Sequence, residues 1–135
     1  MTLQYSVTVR NAKLDAVEAA IGADAILEVR TGAPPADCSQ DDSGTVLATL
    51  NLPSDWMDDA SGGSISMNDA WEDTSADATG VAGHFRIKND TGTVCHAQGT
   101  VSGTGGGGDM ILDNTNFAEG QQFSISSFTI TAGNA

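Results

Sequence analysis

The strongest constraint on the fold is the period-two alternation of apolar and polar residues in segment 81–88. One face of this segment carries Val81, Phe85 and Ile87, and the opposite face carries His84, Arg86 and Lys88. Such alternation is typical of a β-strand, in which successive side chains point to opposite faces. The turn sequence Asn-Asp-Thr-Gly follows at 89–92, so residues 93–101 are predicted to return antiparallel as a hairpin.

Strand patterns bounded by turn residues recur along most of the remaining chain. The sixteen glycines and three prolines favour the many tight turns that a strand-rich fold needs. The chain is therefore predicted to be mainly β, as a single-domain antiparallel β-sandwich or small barrel of about seven strands. Besides the hairpin, the predicted strands are residues 25–31, 45–52, 64–71, 110–112 and 123–131.

One short helix interrupts this pattern near the N-terminus. Leu14, Val17 and Ile21 recur at steps of three and four residues, which predicts an amphipathic helix. Asn11 is a candidate N-cap, and Gly22 lies where a C-cap is expected. The single predicted domain, 1–135, thus divides into an N-terminal arm (1–9), the helix (10–22) and the strands (25–132).

Acidic residues outnumber basic ones by 18 to 5, which gives a net charge of −13. Ten carboxylates and no Lys or Arg lie between Gly32 and Thr79. Such a surface repels phosphate groups and anionic lipids, so neither a nucleic acid nor a membrane is expected as a partner. No apolar stretch reaches the length of a membrane span, and no signal peptide is recognisable, so synthesis in a cytoplasm is expected.

The glycine-rich run 103–108 contains the spacing G-x-G-x-x-G that occurs in dinucleotide-binding proteins. That motif binds pyrophosphate only when it lies between a strand and a helix, and here a strand-like Met-Ile-Leu follows it. A flexible loop or the tip of a hairpin is the better interpretation, and no cofactor is expected.

His84 and His96, the only two histidines, fall on neighbouring strands of the predicted hairpin. A metal site needs three or four ligands in defined geometry, and no third ligand can be assigned. The aspartate groups within 37–42 and 55–59 lack the alternating spacing of a calcium loop. We therefore expect two surface histidines and no metal site. No nucleophile–base pair is recognisable either, so no enzymatic activity is expected.

Cys38 and Cys95 lie far apart in the sequence. In a reducing cytoplasm they are expected to be free thiols, although they could pair once the protein is outside a cell. The spacing alone does not decide between these two states.

Trp56, Met57 and Trp71 flank acidic loops, where large apolar side chains are not obviously part of a core. Tryptophan is enriched at the centres of protein interfaces, which makes these residues candidates for contact with a partner. A loop held over the core by its own tryptophan is an equally good interpretation. The set of predicted contact residues is Leu3, Tyr5, Val7, Trp56, Met57 and Trp71.

A further indication comes from segments spread in order along nearly the whole chain. The N-terminal ones are Tyr5-Ser6, Arg10–Ala16, Ala20–Gly22 and Leu27–Pro34. The later ones are Gly44–Ala48, which reads G-T-V-L-A, then Asp77–Ala82 before Phe85–Ile87, and finally Ile125–Asn134. In these segments the chain resembles a family of small virion proteins of tailed bacteriophages.

The resemblance implies a non-enzymatic capsid decoration (cement) protein on the outside of the virion. The expected partner is the major capsid protein, and the chain is expected to be a homo-oligomer, with a trimer favoured. A tail or neck component is a structural alternative. A host-surface or carbohydrate-binding module displayed on the virion is an alternative of a different class.

Overall fold

One helix and nine strands make up the part of the chain that the computed structural model describes, residues 3–132. This mainly β fold with one N-terminal helix confirms the predicted fold class. The elements are α1 (Val7–Ile21), β1 (Ile26–Thr31), β2 (Val46–Asn51), β3 (Ser64–Ser66), β4 (Trp71–Asp73), β5 (Gly80–Lys88), β6 (Cys95–Gly103), β7 (Met110–Leu112), β8 (Asn116–Phe117) and β9 (Phe123–Thr131).

The strands form one sheet that curls into a half-barrel. Its order is β2-β1-β5-β6-β7-β9-β3, while β4 also pairs with β9 and β8 with β5. The predicted antiparallel hairpin of β5 and β6 is present. The number of strands exceeds the prediction for two reasons. The positive φ of Asp69 (+63°) turns the chain between β3 and β4, and β8 is too short to show a pattern.

Apolar side chains of the central strands lie on one face of the sheet and form the middle of the core. Leu27 and Val29 of β1 lie opposite Ile87 and Phe85 of β5, and all four are buried. Phe128 of β9 packs edge-on against Phe85, with the ring centroids 5.4 Å apart. The curl of the sheet therefore brings its two ends onto one shared hydrophobic core.

The glycine-rich run connects two strands, β6 and β7, that lie side by side in parallel. Parallel neighbours normally need a crossover of a dozen or more residues. Here the chain turns back within the run and then resumes its former direction, so that Met110 lies opposite Val101. The N–H of Gly108 donates to Ser102 Oγ at 2.8 Å in this loop. A Cβ at Gly106 or Gly108 would lie under 3 Å from Ser102 atoms. The run is a loop, as predicted, but it is not a hairpin tip.

The helix begins at Val7, three residues earlier than predicted. Ser6 is the N-cap, because its Oγ accepts the N–H of Val9 at 3.3 Å. The predicted cap, Asn11, lies inside α1. The predicted arm therefore loses residues 7–9 to the helix, and its residues 1–2 lie outside the described residues. Gly22 ends the helix with φ +96°, as predicted.

A polar stripe of α1 holds segment 52–63, which lies between β2 and β3. Its side chains each accept a backbone N–H of that segment: Asn11 from Gly63, Asp15 from Ala60 and Glu18 from Met57. These acceptors lie at steps of four and three residues, so they share one face of the helix. The helix thereby provides hydrogen bonds to a segment with little regular structure of its own.

Both tryptophans belong to the core. Trp56 and Trp71 are 0% and 1% exposed, and Met57 is 2% exposed. The ring of Trp71 lies 6.1 Å from that of Trp56 and 5.8 Å from that of Phe128, so the rings attach segment 52–63 to β9. Of the two interpretations open from the sequence, the structure supports the loop held by its own tryptophan. The three predicted contact side chains are not on the surface in this conformation.

The two tryptophans differ in their indole N–H groups, which predicts different costs of substitution by phenylalanine. The N–H of Trp56 donates to the carbonyl of Gly22 at 3.1 Å. The N–H of Trp71 has no acceptor within residues 3–132. We expect Trp56→Phe to lower the free energy of unfolding by about 1–3 kcal/mol more than Trp71→Phe, because only the first removes a hydrogen bond. Urea denaturation measures both, and equal losses would contradict this explanation.

Candidate functional site

Exposed large apolar side chains are concentrated at the N-terminal end of the described chain. Leu3 (71% exposed), Tyr5 (42%) and Val7 (47%) are predicted contact residues, and Val9 (42%) joins them. Lys13 Nζ lies 4.7 Å from the centre of the Tyr5 ring, a cation–π contact with α1. We call these four apolar residues the N-terminal apolar group.

The second candidate site is a group of charged side chains on the face of the sheet opposite to the core. β1 contributes Glu28 and Arg30, and β5 contributes His84, Arg86 and Lys88. The register places Glu28 opposite Arg86 and Arg30 opposite His84. Three of the five cationic side chains of the protein are therefore collected here, each at most 7% exposed. We call Arg30, Arg86 and Lys88 the cation cluster.

The β1–β2 loop, residues 32–45, covers the cation cluster and supplies its main counter-charge. Asp42 lies 2.6 Å from Arg86 Nη1 and 2.7 Å from Lys88 Nζ. Its carboxylate is also 3.1 Å from Arg30 Nη2. Glu28 is the second counter-ion, at 2.7 Å from Lys88 and 3.1 Å from Arg30. Two carboxylates thus balance most of three buried positive charges, as buried charges require.

Backbone carbonyls of the β1–β2 loop accept the remaining guanidinium N–H groups. Arg86 donates to the carbonyl of Cys38 at 3.0 Å and to that of Gln40 at 3.2 Å. Arg30 donates to the carbonyl of Ser43 at 3.2 Å. A guanidinium holds its five donors in a rigid fork. These bonds therefore position the loop backbone as well as pairing charge.

Gly44 is the residue at which this loop returns to the sheet. Its φ of +69° lies in the left-handed region that favours glycine. A Cβ at this position would overlap the carbonyl oxygen of Thr31 at the end of β1. The N–H of Thr45 then donates to Thr31 Oγ1 at 2.9 Å, which ties the two ends of the loop together.

The network changes the proton affinity of its members. Burial raises the pKa of Asp42, but the hydrogen bond from Lys88 and the positive charges of Arg30 and Lys88 outweigh it, so the pKa lies below its ordinary value. Burial lowers the pKa of Lys88, but its hydrogen bonds to Asp42 and Glu28 raise that pKa above its ordinary value. Both groups therefore stay charged at neutral pH.

His84 is fully buried, so the prediction of two surface histidines is wrong for this residue. Its Nδ1 donates to the carbonyl of Gly32 at 2.9 Å, beneath the β1–β2 loop. His96 is exposed, as predicted. Strand alternation correctly places His84 and Phe85 on opposite faces of the sheet. Alternation alone does not show that the β1–β2 loop covers the face that carries His84.

Cys38 and Cys95, 57 positions apart in the sequence, meet at the edge of the cation cluster with their Sγ atoms 2.9 Å apart. Both are free thiols in the structure. Burial and the neighbouring thiol raise the pKa of Cys38 to about 11, so this group is protonated at neutral pH. Arg86 Nε donates to Cys95 Sγ at 3.2 Å. The sequence did not predict that the two cysteines are neighbours.

A pocket of about 350 Å³ opens beside the cation cluster, between the β1–β2 loop and the turn of the β5–β6 hairpin. Arg86 and Lys88 line it, but both are already bonded to Asp42, so the pocket offers a polar wall rather than unpaired positive charge. No group of three or more His, Cys, Asp or Glu side chains within residues 3–132 is arranged to hold a metal ion. The network mainly fixes the loop.

The sequence itself carries a signal for the cation cluster. Arg86 and Lys88 alternate with Phe85 and Ile87 in one strand, so cations and core residues share a central strand. Loop 32–45 holds carboxylates and no cation of its own. A strand with excess positive charge beside a loop with excess negative charge is a pattern that favours pairing.

Comparison with known proteins finds no family model, no curated protein and no solved structure that matches the chain significantly.

Within residues 3–132, no helix is long and apolar enough to cross a membrane.

Removal of the Asp42 charge is predicted to destabilise the protein in a pH-dependent way. Asp42→Asn leaves three buried cations with one carboxylate. We expect the free energy of unfolding at pH 7 to fall by about 1–3 kcal/mol, less than for a fully buried pair because the Asp42 side chain is 35% exposed. The pKa of Asp42 is lowered in the folded state, so its contribution is present above the ordinary value of 3.8. It is lost as the pH falls through the lowered folded pKa.

The matched control is Asp41→Asn, which removes one charge from the exposed neighbouring position of the same loop. Urea denaturation of the wild type and both variants between pH 7 and pH 3 measures the difference. An equal effect of the two substitutions, or a loss for Asp42→Asn that persists unchanged at pH 3, would contradict the assigned role of Asp42.

Proposed function

We propose that this chain is a structural protein of a tailed-phage particle, a decoration protein that binds the outer surface of the capsid. The observation that carries the binding role is the N-terminal apolar group: Leu3, Tyr5, Val7 and Val9 are exposed together at one end of the chain. The assignment to a phage particle rests on the resemblance of the sequence segments given above. Elsewhere in residues 3–132, the exposed large apolar side chains are only Val81 and Val94. Exposed apolar groups collected in one region mark protein interaction sites.

Burial of the N-terminal apolar group against a partner would contribute substantially to the free energy of binding. Full burial of one large apolar side chain stabilises by roughly 1.5–3 kcal/mol. Association and ordering of the chain offset part of this gain, so one copy binds only modestly. On a capsid lattice or within a trimer, repeated contacts add up through high effective concentration. A short apolar segment is therefore sufficient for a lattice-bound protein.

The charge distribution also supports a protein partner. The cation cluster is buried beneath the β1–β2 loop, and only Arg10 and Lys13 remain as other cationic side chains. The exterior is consequently even more acidic than the net charge of −13 suggests. Such a surface disfavours contact with nucleic acid.

The two alternative functions predicted from the sequence require different copy numbers or different surface residues. A tail or neck component uses the same kind of contact but is present in few copies per particle. A carbohydrate-binding module needs exposed aromatic rings, and both tryptophans of the chain are buried. Tyr5 is the largest exposed aromatic side chain within the described residues. The exposed apolar residues therefore favour a structural protein over a carbohydrate-binding module, and copy number separates a decoration protein from a tail or neck component.

Charged substitutions in the N-terminal apolar group are predicted to weaken binding to capsid shells. Leu3→Asp combined with Val7→Asp places two charges among the proposed contact side chains. Asp is compatible with the start of α1, whose first turn contains no acidic residue, because the helix dipole favours negative charge there. We expect the affinity for purified shells that lack this protein to fall at least roughly 10-fold, with unchanged circular dichroism.

The control is Val81→Asp combined with Val94→Asp, which adds the same charge at the two other exposed valines. It should bind shells like the wild type. An equal loss of affinity in both double variants would show a general effect of added charge. Unchanged binding of the Leu3→Asp/Val7→Asp variant would refute the proposed contact.

Copy number separates the decoration protein from the tail or neck component. We expect purified virions to contain this chain in a ratio to the major capsid protein that is near one or a simple fraction. Quantitative mass spectrometry of virions measures the ratio. A handful of copies per particle would move the protein to the neck, the tail or a fibre.

A further inference from the structure

We infer that Cys38 and Cys95 form an intramolecular disulfide in an oxidising environment and that this bond fixes the β1–β2 loop to β6. The inference is independent of the proposed function. It begins with the 2.9 Å between the two Sγ atoms, which is closer than ordinary non-bonded contact (about 3.5–4.0 Å even between carbons). The fold itself has therefore brought the two sulfurs together.

The position of each sulfur is determined by bonds that do not involve the other. Cys95 is the first residue of β6 and lies opposite Lys88 of β5 in the hairpin. Cys38 is held from the other side, because its carbonyl accepts a hydrogen bond from Arg86 Nη2 at 3.0 Å. The same Arg86 contacts Cys95 Sγ through Nε at 3.2 Å. One buried guanidinium thus aligns both partners.

Access for an oxidant is provided by the pocket beside the cation cluster. Both cysteines line this pocket, and both are partly exposed rather than sealed in the core. A small disulfide such as oxidised glutathione can reach them there. The thiolate of one cysteine attacks it, forms a mixed disulfide and releases one glutathione thiol. The second cysteine then displaces the other glutathione, so that two protein thiols lose two protons and two electrons.

The bond would join two points that are 57 positions apart. Cross-linking of distant residues restricts the unfolded chain, so the folded state gains stability. In a reducing cytoplasm the pair stays as two thiols, and outside the cell it becomes oxidised. The β1–β2 loop, which carries Asp42, is then held covalently as well as by the cation cluster.

The experiment compares the reduced and oxidised wild-type protein. The chain is purified with a reducing agent and then incubated with oxidised glutathione at pH 8. We expect both free thiols to disappear, the monomer to lose two hydrogens by mass spectrometry, and Tm to rise by roughly 10 °C. Added dithiothreitol should reverse all three changes.

The controls are Cys38→Ser and Cys95→Ser, which keep the size of the side chain but leave one thiol. Each should gain a single glutathione under the same conditions and show no rise in Tm. Retention of both thiols in the oxidised wild type, addition of two glutathiones, a disulfide-linked dimer or an unchanged Tm would overturn the inference. Because the wild-type test needs no substitution, a folding defect in a variant does not affect it.

Discussion

The arrangement of this protein depends on three cations that share one face of β1 and β5. A buried positive charge is unfavourable unless it is paired and hydrogen-bonded. Arg30, Arg86 and Lys88 therefore require a cover that brings negative charge and free carbonyl groups. The β1–β2 loop provides both, through Asp42 and the carbonyls of Cys38 and Gln40. The position of the loop, the burial of His84 and the approach of the two cysteines all follow from this requirement.

Acidic residues also hold a second loop in place, here by accepting backbone N–H groups. Asp15 and Glu18 of α1 accept backbone N–H groups of segment 52–63 instead of serving as surface charges. Trp56 completes the attachment from that segment through its hydrogen bond to Gly22 and its ring contact with Trp71. Two loops that are rich in aspartate are thus both held by specific partners. The high acidic content is partly structural, and it does more than keep the surface hydrated.

Much of the fold could be predicted from the sequence because strand alternation and turn residues are local signals. β1, β2, β5, β6, β7 and β9 lie within two residues of the predicted segments, and Gly22 ends the helix as expected. The start of the helix is not fixed by residue type, because Ser6 and Asn11 both suit an N-cap position. In the structure Ser6 caps the helix through the N–H of Val9, and Asn11 instead accepts the N–H of Gly63. The predicted strand 64–71 is divided into β3 and β4 because the backbone turns at Asp69. The alternation of apolar and polar residues does not reveal this turn.

The candidate sites were less predictable because their side chains are defined by contacts across long sequence separations. Alternation places Arg86 on the face of the sheet that does not carry Phe85. Whether this face is buried is shown only by the β1–β2 loop, residues 32–45, which packs on it. Likewise, the sequence does not distinguish Trp56 and Trp71 from interface residues, whereas the structure shows Trp71 packed on Phe128 and Trp56 packed on Trp71. Once the tryptophans and cations are removed from the surface, what remains exposed is strongly acidic, with apolar side chains concentrated at the N-terminus. Within residues 3–132, that end and the carboxylates are therefore the two most distinctive features of the surface, a narrower set of candidate contacts than the sequence alone allowed.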